Sequence, residues 1–211
     1  WRELGGRLGG TVRAGTAPSR APAFELASPA LAEVVRDMNK YSNNVIAQQM
    51  FLTLALQQRG PGATPDAARD VLHRWAIERL GRDVAASLVV DNGSGLSRDG
   101  RLSARLLARL LQYAWAGPAM PELVASLPVV GIDGTLKQAS PSPSRGREGT
   151  VRAHLKTGSL RDVYGIAGVV LANSGRRYAI IAIANHPNAA AARPAIDALL
   201  QWAAVDGGAP R

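Results

Sequence analysis

The 211-residue sequence contains no cysteine. That excludes a disulfide framework, thiol catalysis and a cysteine-built zinc site. Aromatic residues make up only 5% of the chain, so a base-stacking platform for single-stranded nucleic acid is poorly supplied. No apolar run reaches the roughly 18 residues that would mark a membrane span. The three histidines, His73, His154 and His186, are far apart and fall in no metal-ligand spacing. The first residue is Trp1 and no secretory leader is recognisable.

What is present is ordinary for a globular protein: 46% hydrophobic and 19% charged residues. A chain of this length buries roughly 70% of its unfolded surface and needs no metal or cross-link to hold a core. The formal net charge is +9, which favours acidic partners such as nucleic acid, anionic lipid or an anionic wall polymer. The excess is spread along the chain, with only small clusters at Arg145/Arg147 and Arg176/Arg177. A diffuse excess reads as a solvated surface.

Residues 1–27, rich in Gly, Pro and Ala, form a leading segment with a short strand candidate at 10–13. Ser28 and Pro29 offer a cap and a first-turn proline for a helix with Leu31, Val34, Val35 and Met38 on one face, ending near Lys40. "YSNN" is turn chemistry, and a second apolar helix covers about 45–57. Thr64-Pro65 caps a third, over 66–80. Residues 84–90 look extended, and "DNGSGLSRDG" is a tight glycine-rich loop. Leu102, Leu106, Leu107, Leu110 and Leu111 mark a fourth helix, "GPAMPELVASLP" a short one, "GIDGTL" a turn. Residues 137–150 are aperiodic and read as a mobile loop.

The period then changes to two. Val151, Ala153 and Leu155 face one way, Arg152, His154 and Lys156 the other. Two apolar strands at 163–171 and 178–184 flank "ANSGRR", a hairpin signal. A closing helix ends near Ala204, with Pro194 starting or bending it. Helices, then a three-strand meander, then a helix predict an α+β layout with an antiparallel sheet. The expected parts of this one domain are 1–27, a helical part at 28–126, and the strands with the last helix at 127–211.

Three short strings carry chemical potential. Lys156-Thr157-Gly158 stands where a strand meets a turn. It offers a positive charge, a hydroxyl suited to a carboxylate and a position without a side chain; the Ser159 amide after it can donate to an oxyanion. Ser42-x-Asn44 sets a hydroxyl and an amide on one helix–helix loop. "DNGSGLSR" presents Arg98 from a constrained turn. Each alone has a plain reading: a strand end with an exposed lysine, helix capping, a turn with a solvated arginine.

The combination is more specific. Ser-x-Asn on a loop, followed about a hundred residues later by Lys-Thr-Gly on a strand, is two thirds of the signature of penicillin-recognising serine enzymes. "MNKYSNNVIAQQMFLTLA", "DNGSGLSR", "SLPVVGIDGTL" and "KTGSLRDVYGIAGVV" resemble the D-alanyl-D-alanine carboxypeptidase/endopeptidase family, the class C low-molecular-mass penicillin-binding proteins. The likeness runs from "WRELGG" to about Trp202.

That resemblance implies a five-stranded antiparallel sheet between helices, no cofactor, a periplasmic location and a peptidoglycan stem peptide as substrate. β-Lactams are the expected inhibitors, and neither nucleic acid nor an integral membrane segment is expected. It implies that Ser42 relays a proton to the departing amine, that Asn44 bonds the substrate's peptide group and that Lys156 holds Ser42 in place. Thr157 would bind the terminal carboxylate beside Gly158, and the Ser159 amide would form half of an oxyanion hole. Arg98, with Asp133 and Thr135, resembles the family's side pocket, and Arg161 adds a cation that favours an acidic side chain.

One family element is missing: no serine is followed three residues later by lysine. The nucleophile and its base are therefore expected on the absent N-terminal portion of the fold, before the family's inserted domains, and these 211 residues alone are expected to be inactive. The rival readings are a β-lactamase or penicillin sensor, a non-catalytic basic module that binds nucleic acid or cell-wall polymer, and a fragment that only complements its missing half.

Overall fold

The structure, a computed structural model, describes residues 2–11, 13–16, 19–22, 24–60, 63–138 and 151–206. Most of the loop expected at 137–150 therefore lies outside the described residues, as does Val12 of the strand candidate at 10–13. The rest of that candidate forms no strand.

Among the described residues, seven α-helices and three strands follow in the expected α+β order. Helix α1 spans Leu31–Tyr41. It starts later than the Ser28-Pro29 signal predicts: Ala30 is the cap, its carbonyl accepts the Glu33 and Val34 N–H groups, and no side chain caps the end. Helix α2, Asn44–Arg59, is capped by the Asn43 side chain and ends at Gly60. Helix α3, Pro65–Leu80, starts as expected, with Thr64 Oγ1 accepting the Ala67 N–H. Residues 84–90 are not one extended piece. Gly81 (φ +100°) ends α3, and the chain forms another helical turn, α4 (Arg82–Ala85). Only Val89 bridges to Arg101. Val84 and Ala85 are buried with Ala76, Leu80 and Leu106. Burial in that cluster overrides the strand preference of Val84.

Helix α5, Ala104–Ala116, is capped by Ser103, and α6 spans Met120–Ser126. A 3-10 turn at Gly134–Leu136 follows. Strands β1 (Arg152–Leu160), β2 (Val163–Leu171) and β3 (Arg177–Asn185) form an antiparallel meander in the order β1-β2-β3. A two-residue turn, Arg161-Asp162, joins β1 to β2, with Asp162 at φ +66°. Helix α7, Arg193–Ala204, closes the fold with Pro194 in its first turn, where a missing N–H costs nothing.

Alternation on β1 decides which residues meet which layer. Ala153 and Leu155 join Ile166, Val170 and Ile180 under Ile196, Leu200 and Ala203 of α7 in the largest core cluster. Each fully buried leucine or valine there contributes about 1.5–3 kcal/mol. His154 and Lys156 point to the opposite face. There His154 Nδ1 lies 3.0 Å from the Val124 carbonyl of α6, and Lys156 reaches the end of α1. The two strands approach closely at Gly168, where a Cβ would fall 2.0 Å from the His154 carbonyl oxygen.

Candidate active site

The site is assembled where α1 ends against β1. Ser42 follows α1 in the left-handed conformation (φ 53°, ψ 46°), which is uncommon for a residue with a Cβ. The turn lifts its side chain off the helix axis. Lys156 Nζ donates a 2.5 Å hydrogen bond to Ser42 Oγ and a 3.0 Å bond to the Thr157 carbonyl. Because the ammonium donates to the oxygen, the Ser42 hydroxyl proton stays free for another acceptor. Burial pushes the Lys156 pKa below the ordinary lysine value, since desolvation disfavours the charged form.

The neighbours of Ser42 divide the tasks. Asn43 caps α2, its Oδ1 accepting the Val45 and Ile46 N–H groups at 3.1 Å each. The capping reading thus fits Asn43. Asn44 opens α2 and is exposed, and its side chain has no protein hydrogen bond among the described residues.

Strand parity places the amides that follow Lys156. The Leu155 N–H leaves the sheet's outer edge and bonds the Pro128 carbonyl at 2.9 Å. Backbone groups alternate between the two edges of an antiparallel strand, and the β1–β2 register is uninterrupted. The Thr157 and Ser159 N–H groups therefore face the same outer edge, past the point where Val129 makes its isolated bridge to His154. Neither amide has an acceptor among the described residues, and an unpaired edge amide is a donor in search of one. Gly158 lies between them, exposed, and a Cβ added there would meet nothing within 4 Å.

Three further residues, Arg98, Asp133 and Thr135, were expected to share one pocket. Arg98 Nη1 donates to the Arg161 carbonyl at 2.7 Å. This pins the glycine-rich loop to the β1–β2 turn, two residues from Ser159. Gly93 seats the start of that loop on α2, where a Cβ would fall 2.4 Å from Phe51 Cβ. Asp133 is engaged elsewhere. Its Oδ2 accepts from Lys40 Nζ at 2.6 Å and its Oδ1 from the Val129 N–H at 2.8 Å. Partial burial works against the charged carboxylate, but the hydrogen bonds from Lys40 and Val129 and the Lys40 and His154 charges outweigh it and hold the Asp133 pKa low. Thr135, in the 3-10 turn, is exposed. No hydrogen bond or ion pair joins Arg98 to Asp133 or Thr135 among the described residues.

Sequence reasoning passed over Lys40. A lysine in the last turn of a helix reads as a solvated cation complementing the helix dipole. Its one available signal was lysine scarcity: Lys40, Lys137 and Lys156 are the only three.

The fold is the α+β class, with a lysine on a sheet edge set against a hydroxyl on a helix–helix bend. Known proteins with this layout define its family. The D-Ala-D-Ala carboxypeptidase 3 (S13) family matches residues 1–205, and the chain belongs to that family. It is similar to carboxypeptidase DacB of Mycolicibacterium smegmatis, 35% identical over 178 residues that cover 83% of this chain and 38% of that protein. Carboxypeptidase Rv3627c of Mycobacterium tuberculosis is 34% identical over 196 residues, 90% of this chain and 40% of that protein. Among solved structures, penicillin binding protein 4 (dacB) of Haemophilus influenzae, complexed with a β-lactam, superposes with a TM-score of 0.59 at 27% identity, covering 73% of this chain and 34% of that one. The chain thus spans about two fifths of the length of the curated relatives it matches.

Proposed function

We propose that these residues form one part of a serine-type D-Ala-D-Ala carboxypeptidase/endopeptidase that cleaves peptidoglycan stem peptides in the periplasm through an acyl-enzyme and is acylated by β-lactams. The observation that carries the reading is the 2.5 Å contact between Lys156 Nζ and Ser42 Oγ. It places a hydroxyl with a free proton under a partly buried cation at the mouth of an open sheet edge. In this reading a serine from a Ser-x-x-Lys segment outside the 211 residues attacks the scissile carbonyl. Its proton passes through the Ser42 hydroxyl to the departing amine as the C–N bond breaks, and water later releases the acyl group.

Each remaining residue then has a role suited to its position. The Ser159 amide donates to the oxyanion from the unpaired edge, a contribution worth roughly 3 kcal/mol per donor in related chemistry. Gly158 lets the substrate backbone lie against that edge. Asn44 bonds the substrate amide and Thr157 its carboxylate. Arg98 and Arg161, at the end of the hairpin, favour an acidic side chain. The rest of the enzyme has a place to join: among the described residues the outer edge of β3 is unpaired. Beside it runs an open groove of about 220 Å³ lined by Ala182, Ile183, Ala184, Ala195, Ile196 and Leu199. There the two additional strands of a five-stranded sheet would add.

Labelling with a fluorescent penicillin tests the proposal. The 211-residue chain alone should take up no covalent label, whereas a product of the same gene that includes a Ser-x-x-Lys segment should be labelled stably. A labelled 211-residue chain would show that Ser42 and Lys156 act as nucleophile and base themselves. An unlabelled longer product would end the peptidase reading.

A further inference from the structure

We infer that Lys40 and Asp133 are positioning residues for Ser42, forming a half-buried ionic strap that holds the serine against Lys156; the inference rests on the relay role proposed above for Ser42. The strap lies in the residues themselves. Lys40 is only 8% exposed, although it sits in the last turn of a helix whose Leu31 and Tyr41 are exposed. A cation that merely complemented the helix dipole would stay in water. This one leaves its own helix and donates to the Leu127 carbonyl at 2.7 Å and to Asp133 Oδ2 at 2.6 Å.

The neighbouring contacts reinforce the same seam. Asn39 Nδ2 donates to Ser126 Oγ at 2.7 Å, and Ser126 Oγ donates to the Leu123 carbonyl at 2.6 Å. Gly134 (φ +56°) lies so close beneath the helix end that a Cβ would fall 2.6 Å from the Lys40 carbonyl oxygen. The segment that receives Lys40 is also the segment paired with β1, through Leu155 N–H to the Pro128 carbonyl at 2.9 Å and Val130 N–H to the Ala153 carbonyl at 3.1 Å.

A closed ring results. Lys156 holds Ser42; two residues before Ser42, Lys40 holds Asp133 and Leu127; and between those two anchors Pro128–Val130 runs beside Ala153–Leu155, next to Lys156. Both walls of the cleft are thus fixed to one strap, and the distance between them is set by the length of that ring. A serine in the left-handed region persists only where its surroundings over-determine it, and this ring supplies the constraint. Asp133, expected from the resemblance to line a substrate pocket with Arg98, spends both carboxylate oxygens on the strap.

The absence of cysteine permits a single-site reporter. In Ser42→Cys the only thiol of the chain stands beside the Lys156 ammonium, and its pKa, read from the pH dependence of alkylation by iodoacetamide, should lie below the free-thiol value of roughly 8.5. Adding Lys156→Met should return it to that value. Adding Asp133→Asn should also raise it. The sign is diagnostic, because removing a nearby negative charge without moving anything would lower a thiol pKa. A thiol that responds to Lys156→Met but not to Asp133→Asn, or falls with the latter, overturns the positioning role while leaving the relay reading intact. A thiol indifferent to Lys156→Met overturns the Ser42–Lys156 relationship itself. Near-ultraviolet circular dichroism on the same samples reports folding; if Asp133→Asn loses its signal, Asp133→Glu carries the test, with a smaller rise expected and an unchanged value overturning the inference.

Discussion

Lys156 and Ser42 are 114 residues apart in sequence, and their side chains meet at 2.5 Å. One comes from the half-buried face of an edge strand, opposite the core, and the other from a left-handed turn between two helices. The sequence alone holds no local reason for them to meet. The contact exists because α1 is strapped to the segment that also borders β1.

The first prediction concerns the titration of Lys156. Burial lowers its pKa from 10.5, so the folded chain binds this proton less tightly than the unfolded chain does. Between the folded pKa and 10.5 the unfolded state carries the extra proton, and stability rises with pH across that window. With ε-carbon-labelled lysine, the chain's three lysines give three resonances, and the one lost in Lys156→Met should titrate below 10.5. Urea denaturation should show the wild type gaining stability relative to Lys156→Met as pH rises through the window. A Lys156 resonance with an ordinary midpoint would contradict the burial on which the contact depends.

Asp133 should act in the opposite limb of the pH profile. Its folded pKa is held below 3.8. The stabilisation is therefore present above 3.8 and lost as pH falls through the lower folded value. Asp133→Asn should flatten this acid limb. At neutral pH it should cost about 1–2 kcal/mol. That is less than the 3–5 kcal/mol typical of breaking a fully buried pair, because the Asp133 side chain is 40% exposed while Lys40 is nearly covered. Denaturant midpoints at pH 7 and pH 3 measure both effects.

The paired asparagines should separate capping from chemistry. Asn43→Ala removes the acceptor for two orphan N–H groups at the start of α2 and should cost about 1 kcal/mol. Asn44→Ala removes no protein hydrogen bond and should change stability by less than about 0.5 kcal/mol. In a complete, acylation-competent product, Asn44→Ala should slow β-lactam acylation at least tenfold. Equal stability losses for the two would show that both side chains serve the helix end.

How much of this was legible beforehand depends on the range of the interaction that decides it. The faces of β1 were readable because alternation is local: Ala153 and Leu155 went to the core and His154 and Lys156 away from it. Thr64-Pro65 started α3 where local chemistry said it would. The Ser28-Pro29 signal failed because no side-chain cap forms there, and Ala30 turns the chain into α1 instead. Val84 failed because a strand-favouring residue was claimed by a helical cluster. The Ser42–Lys156 pairing was accessible only through its resemblance to a known signature. For Lys40 only the scarcity of lysine offered a hint, since its carboxylate partner lies 93 residues away and nothing local distinguishes a buried helix-end lysine from a solvated one.

Two glycines on the sheet test whether the open edge beside Lys156 is kept open for a ligand. Gly168 and Gly158 are both strand residues facing the β1–β2 pair, and a strand glycine ordinarily weakens its sheet. At Gly168 the reason is internal: a Cβ would fall 2.0 Å from the His154 carbonyl oxygen and 2.8 Å from Leu155 Cα. Both are backbone atoms that move only with the strand, so Gly168→Ala should cost roughly 3 kcal/mol and lower the thermal midpoint by several degrees. At Gly158 nothing lies within 4 Å of the same position. Gly158→Ala should therefore leave the thermal midpoint unchanged or slightly higher, because alanine restricts the unfolded chain. If the edge receives a substrate backbone, that methyl group fills the space the substrate needs, and β-lactam acylation of a complete product should fall at least tenfold while its stability holds. A Gly158→Ala protein with undiminished acylation would mean that the ligand approaches from elsewhere, and the Ser159 amide would lose its proposed role with it.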